Sequence, residues 1–157
     1  MKYIKLTMIG LIFVLAGCAT TSAPNLTPLE IQSLQTREYE QGKDIVFPSV
    51  ISVFQDLGYT VKSADIATGL ITAESAAKSD AASKFLLGVS NVSQTSATAF
   101  VESIGKMTKV RLNFVASSKK SYGYGQSDRD DTPILSAEIY KNAFERIESA
   151  IFVRSAN

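Results

Sequence analysis

Apolar residues at positions 46, 47, 50, 51, 54 and 57 recur at the spacing of an α-helix that must bury one stripe. The sequence predicts this helix over residues 43–57, with Asp44 as its N-cap and Pro48 in its first turn. Gly58 follows as a left-handed stop. A second stripe, Leu135, Ile139, Ala143, Phe144, Ile147 and Ile151, predicts a final helix capped by Thr132 with Pro133 at its first position. Two such stripes need an apolar surface to cover.

The segments between them supply it as strands. Residues 59–65 and 70–74 read as a hairpin turning through residues 66–69, where Gly69 provides positive φ. Residues 98–104 and 108–117 read as a second hairpin turning at Gly105-Lys106. In it Val110, Leu112, Phe114 and Ala116 alternate with Lys109, Arg111, Asn113 and Val115, so one face is apolar and the other largely polar. Residues 35–40 suggest a first strand, and Thr27 can cap a short helix over residues 29–33. Residues 75–96 form a long connection in which residues 81–87 have the makings of one or two helical turns, and residues 119–131 read as a polar loop. The expected fold class is α+β: a two-layer sandwich, with an antiparallel sheet of four to five strands and two main helices on one face, in the order β-α-β-β-β-β-α. One domain covers residues 29–157.

The start of the chain has another character. Met1-Lys2-Tyr3-Ile4-Lys5 is basic, and residues 6–17 are apolar and end in small residues. Twelve helical residues span roughly 18 Å, short of a bilayer core of about 30 Å, so residues 1–17 read as a signal peptide. Leu15-Ala16-Gly17-Cys18 resembles the motif of bacterial lipoproteins. That resemblance implies cleavage between Gly17 and Cys18, diacylglycerol on the Cys18 sulfur and an acyl group on its new amine. Ala19, in place of an Asp, implies the periplasmic face of the outer membrane. Residues 18–28 then form a lipidated tether, small, polar and Pro-bearing, whose ten residues after Cys18 reach about 18 Å.

Two stretches resemble small helix-grip lipoproteins of the BamC/NlpB type. One comprises Val46-Phe47-Pro48-Ser49-Val50-Ile51-Ser52-Val53-Phe54-Gln55-Asp56-Leu57-Gly58-Tyr59 together with Gly69-Leu70-Ile71-Thr72-Ala73, and the other is residues 139–152. These are packing motifs, so what they imply is a fold. The chain holds at most one such unit where BamC has two.

Charge and residue types limit the chemistry. With Lys2 and Lys5 removed, 14 of the 16 basic residues face 15 acidic ones, a net of −1 that lacks the footprint of a nucleic-acid binder. The chain has no His and one Cys, which removes the usual proton shuttle, an intrachain disulfide and Cys/His zinc sites. No metal or cofactor is expected.

Asp128-Arg129-Asp130-Asp131 lacks the spacing of a calcium loop and reads as a solvated run whose last acids favour the final helix N-terminus. Tyr122 and Tyr124, just after Lys119-Lys120, and the apolar Phe85-Leu86-Leu87 are candidate partner contacts, each also explicable as cover for the sheet. Glu38, Glu40, Glu74, Glu102 and Asp65 are the strand carboxylates from which a glycan-cleaving pair would be drawn, and solvated faces explain them more simply. The sequence thus favours a non-catalytic binding or scaffolding lipoprotein with a partner in the cell envelope, its contact surfaces being the open sheet face, residues 75–96 and residues 122–125. The alternatives are a carboxylate-based enzyme acting on peptidoglycan or glycan, and a carrier of a small molecule or lipid.

Overall fold

A computed structural model describes residues 26–79, 90–122 and 125–156. Thr27 opens α1 (Pro28–Gln35) with a reciprocal capping box: its hydroxyl accepts the Glu30 N–H, and the Glu30 carboxylate accepts the Thr27 N–H. The chain then enters β1 (Thr36–Tyr39) and α2 (Lys43–Asp56). β2 (Tyr59–Asp65), β3 (Leu70–Ser75), the short β4 (Lys78–Ser79), β5 (Ser90–Ile104), β6 (Met107–Ser121) and β7 (Ser127–Pro133) follow, and α3 (Ala137–Ser155) closes the chain.

The protein is therefore α+β, with seven strands in one antiparallel sheet where four to five were expected, and three helices, the short first one capped by Thr27 as expected. The central order is β1-β6-β5-β3-β2, with β4 also on β5 and β7 also on β6. β5 and β6 form one long ribbon, paired from Ile104↔Met107 at the Gly105-Lys106 turn to Ser90↔Ser121. Each outer edge of this ribbon carries two strands in tandem. β1 takes the first part of β6 and β7 the last, while β3 and β4 divide β5.

Alternation decides which face is buried. Ile71, Ala73, Ala97, Ala99, Val101, Val110, Leu112 and Phe114 point to one side, where they meet Val46, Val50, Val53 and Phe54 of α2 and Tyr140, Ala143, Phe144, Ile147 and Ile151 of α3. Each Val, Leu, Ile or Phe so covered contributes roughly 1.5–3 kcal/mol. Two of the edge strands defend their free edges. β2 has a bulge between Val61 and Ser63 beside exposed Lys62, and β7 is exposed throughout, charged and ended by Pro133.

Four expectations need correction. The cap of α2 is Gly42, whose carbonyl accepts the Ile45 and Val46 N–H groups, so Asp44 lies inside the first turn and Pro48 sits two positions deeper than expected. Residues 119–131 are no loop. They carry the end of β6 and most of β7, paired along the ladder and joined by a side-chain bond between Asp131 and Ser117, and the acidic run 128–131 lies in β7. Likewise β5 begins at Ser90, far inside the predicted connection. The proposed helical turns at residues 81–87 lie outside the described residues.

The final helix is the fourth correction. Thr132 pairs with Ala116 and Pro133 with Val115 as the end of β7, and α3 begins only after Ser136. Ladder bonding wins over the cap signal here because the Ile134 N–H still donates to the Phe114 carbonyl at 2.9 Å. Among the described residues no helix is long and apolar enough to cross a membrane.

Candidate functional site, the open face of the sheet

The side of β6 that faces away from α2 and α3 carries Lys109, Arg111 and Asn113, the polar half of its alternation. The strand register lines these up with neighbours. Leu70, Phe100, Arg111 and Thr36 form one rung across four strands, and Thr72, Thr98 and Asn113 form the next. Adjacent strands lie about 4.8 Å apart, so each rung is a row of touching side chains. Leu70 is 46% exposed and Phe100 41%, although both sit on central strands. That exposure marks an apolar surface left uncovered.

A break in the edge of β6 shapes the site. β1 ends its pairing at Arg111 and β7 starts at Val115, leaving the β6 backbone between them without a neighbouring strand apart from the Ile134 bond. Tyr140 of α3 reaches this gap from the core side, where its hydroxyl accepts the Phe114 N–H at 3.4 Å. Gln35, the last residue of α1 and only 5% exposed, fills the remainder. Its Nε2 donates to Tyr140 Oη and to Asn113 Oδ1, each at 3.4 Å, and its Oε1 accepts from Arg111 Nη2 at 3.2 Å. A buried amide thus links the core to an exposed guanidinium.

Above this network lies a groove of about 410 Å³. Ile31 of α1 and Leu135 of the β7–α3 segment form its rim, Leu70 and Phe100 its apolar floor, and Arg111, Thr98 and Asn113 its polar floor. Leu135 was expected in the helix stripe, but the late start of α3 frees it for this wall. The position Tyr140 should have taken in the stripe was missed, although it lies four residues before Phe144 and is completely buried. Gln35 carried no sequence signal.

Tyr140→Phe tests the network. It leaves the Phe114 N–H without its partner and removes one bond from the Gln35 amide. The expected loss is roughly 1–3 kcal/mol in urea unfolding, with larger amide shifts at Arg111 than at the distant β2–β3 turn. Shifts confined to Phe114 would show that the hydroxyl does not hold Gln35.

Other concavities differ in kind. One, about 750 Å³, lies along the outer side of α3 beside the end of α2 and is lined mostly by exposed polar and charged residues such as Asp56, Glu145, Arg146 and Arg154. A second, about 520 Å³, lies where the β5–β6–β7 ribbon runs past the helices, over Ser75, Lys78, Thr95, Ser118, Asp130 and Thr132. A third, about 470 Å³ and open to solvent, lies between the helices and the sheet, where Leu57, Tyr59, Phe114, Ile139 and Ala143 line it together with the polar Glu138 and Asn142, and burial pushes the Tyr59 hydroxyl pKa up.

Of the residues singled out from sequence, Tyr122 is 39% exposed at the turn into β7, where its N–H donates to the Gln126 carbonyl. It lies nine positions beyond Asn113, roughly 30 Å along a strand, so it does not join the groove. Gly17, Cys18, Phe85, Leu86, Leu87 and Tyr124 lie outside the described residues.

The strand carboxylates have local partners or solvent. Glu74 pairs with Lys62 at 3.6 Å and Glu102 with Lys109 at 2.8 Å. Glu38 stands across from the same Lys109, and Glu40 is exposed. Asp65 caps its own turn: the Ala67 N–H, then the Thr68 hydroxyl, hold its pKa below the usual carboxylate range. Among the described residues no group of three or more His, Cys, Asp or Glu is placed to hold a metal ion.

No family model matches the chain, and no curated protein matches it. Among solved structures, a DUF4468 family protein from Bacteroides ovatus ATCC 8483 is similar at 9% sequence identity and a TM-score of 0.39, over 84% of this chain and 91% of that one. A likeness of this size carries no argument about function.

Proposed function

We propose that the protein is a lipid-anchored binding module of the bacterial cell envelope, held by acylated Cys18 on the periplasmic face of the outer membrane, with the open sheet face as its contact surface. The observation that carries this reading is the uncovered groove, where two apolar side chains on central strands flank a guanidinium fixed from below by a buried amide. A preformed concave surface with a few fixed polar groups suits recognition. The ten residues after Cys18, with a mean reach of about 18 Å, would keep the start of the domain close to the membrane. Helix stripes covering one face of a sheet also suit the two-layer, helix-grip sandwich that the sequence implies, and they leave the other face for a partner.

Intact mass of protein taken from its own membranes tests the anchor. The expected species begins at Cys18 and carries acyl chains, while Cys18→Ala stays uncleaved or leaves the outer-membrane fraction. A native chain that keeps residues 1–17 unmodified would sink the lipoprotein reading. A photo-crosslinker at Phe100 tests the surface: discrete adducts are expected there and none at exposed Gln55 of α2. Equal labelling at both positions would remove the open face from the proposal.

A second reading, a carrier for a small apolar molecule, draws on the cavity of about 470 Å³ walled by Leu57, Tyr59, Phe114, Ile139 and Ala143. Native mass spectrometry of the same material would then show a bound ligand that a bulkier residue at Ala143 displaces.

A further inference from the structure

The groove on the open face has one cation, and its setting specifies a ligand. Arg111 stands in the same rung as Leu70 and Phe100, so its charge and the apolar floor are presented together. Its Nη2 is held by the neutral Oε1 of Gln35 at 3.2 Å, which fixes the guanidinium without spending its charge. Gln35 is itself 95% buried and tied to Asn113 and to Tyr140. None of the four ion pairs among the described residues includes Arg111. The acids nearest in register, Glu38 and Glu102, both stand in the next rung around Lys109, and Glu102 is bonded to it. A guanidinium steadied from one side by an amide keeps its other N–H donors for a planar, two-oxygen acceptor.

We infer that the groove binds an apolar carboxylate: one carboxylate forked on Arg111, with a hydrocarbon or aromatic body laid on Phe100 and Leu70 between Ile31 and Leu135. The volume, about 410 Å³, lies toward the small end of ligand sites, which run roughly 300–1,000 Å³. That size suits one or two side chains or a short acyl body. Such chemistry comes from two sources, a free organic acid or the terminal carboxylate of a peptide ending in an apolar residue. The inference rests on the open face being the binding surface proposed above.

The test uses the mature protein from its own membranes in lipid nanodiscs, titrated with two soluble pairs. One is 4-phenylbutanoate with its amide, 4-phenylbutanamide. The other is acetyl-Ala-Ala-Phe with a free or an amidated terminus. Each carboxylate should bind roughly tenfold to a hundredfold more tightly than its amide, the range expected of a hydrogen bond to a charged group. Arg111→Gln should erase that preference, and Arg111→Lys should keep part of it. The tighter carboxylate names the source. In the unsubstituted protein the Arg111 side-chain N–H signals should shift with the carboxylates and not with the amides, a readout independent of how any variant folds.

Equal affinity for acids and amides, no binding of either acid, or shifts that leave Arg111 untouched would overturn the inference. A lipidated chain that crosslinks a partner through Phe100 yet shows no carboxylate preference leaves the binding-module reading standing and removes this one. A carboxylate preference in a chain that is never acylated does the reverse.

Discussion

Alanine in place of Gly69 should destabilise the domain by roughly 3–4 kcal/mol, a large part of the 5–15 kcal/mol that typically holds a fold together. Gly69 sits at φ +80° in the β2–β3 turn, a conformation in which a side chain costs about 1–2 kcal/mol. The larger part comes from β5. A Cβ at Gly69 would lie 2.1 Å from the Val101 carbonyl oxygen. Neither backbone can retreat freely, because the Val101 N–H donates to the Gly69 carbonyl at 2.8 Å. Gly58→Ala is the control: it has φ +84° but nothing within 4 Å of the added atom, so only the conformational part should be lost. Urea unfolding of the two variants separates the effects. Equal losses would mean that the β5 backbone yields and the close approach costs nothing.

Phe114→Ala should cost about 3–5 kcal/mol, the range for deleting a buried aromatic ring. Phe114 is 1% exposed and sits where three aromatic neighbours meet: Tyr140 at 5.3 Å between ring centres, Tyr59 at 6.2 Å and Phe54 at 6.3 Å. Its ring ties α2, α3 and β2 to the middle of the sheet. It also lines the open pocket beside Leu57 and Ile139, so the space left behind would join an existing concavity. The measurement is the midpoint of urea unfolding with an unchanged slope. A loss below about 2 kcal/mol would show that the helices close over the gap.

What the sequence revealed depended on which residues the helix layer covers. Periodicity exposed α2, both central hairpins and the buried side of β6, because Val110, Leu112 and Phe114 must face the helices there. Farther along the same ribbon nothing covers the sheet. Ser93, Thr95, Ser118 and Asp130 therefore satisfy a strand as well as apolar residues would, and the first half of β5 and all of β7 left no alternation to find. The Thr132-Pro133 pair misled for a related reason: a proline that opens a helix and a proline that ends an edge strand both do without their N–H. The groove was legible only in part. The open face followed from the alternation of β6, but Gln35 and Leu135 join it through tertiary contacts that no local pattern records.

The seam between β1 and β7 also sets an order of events. The β5–β6 ribbon is a local hairpin, with partners close in sequence, and such contacts form fast. The Gln35–Tyr140 bond spans 105 residues, and the groove it supports needs the first helix, the central ribbon and the last helix all in place. Closing so long a loop is entropically costly and is rewarded only when everything else is assembled. The groove is accordingly a late product of folding, missing from a chain still being made and lost when either end frays. Whatever binds there reads completion of the fold as well as its chemistry.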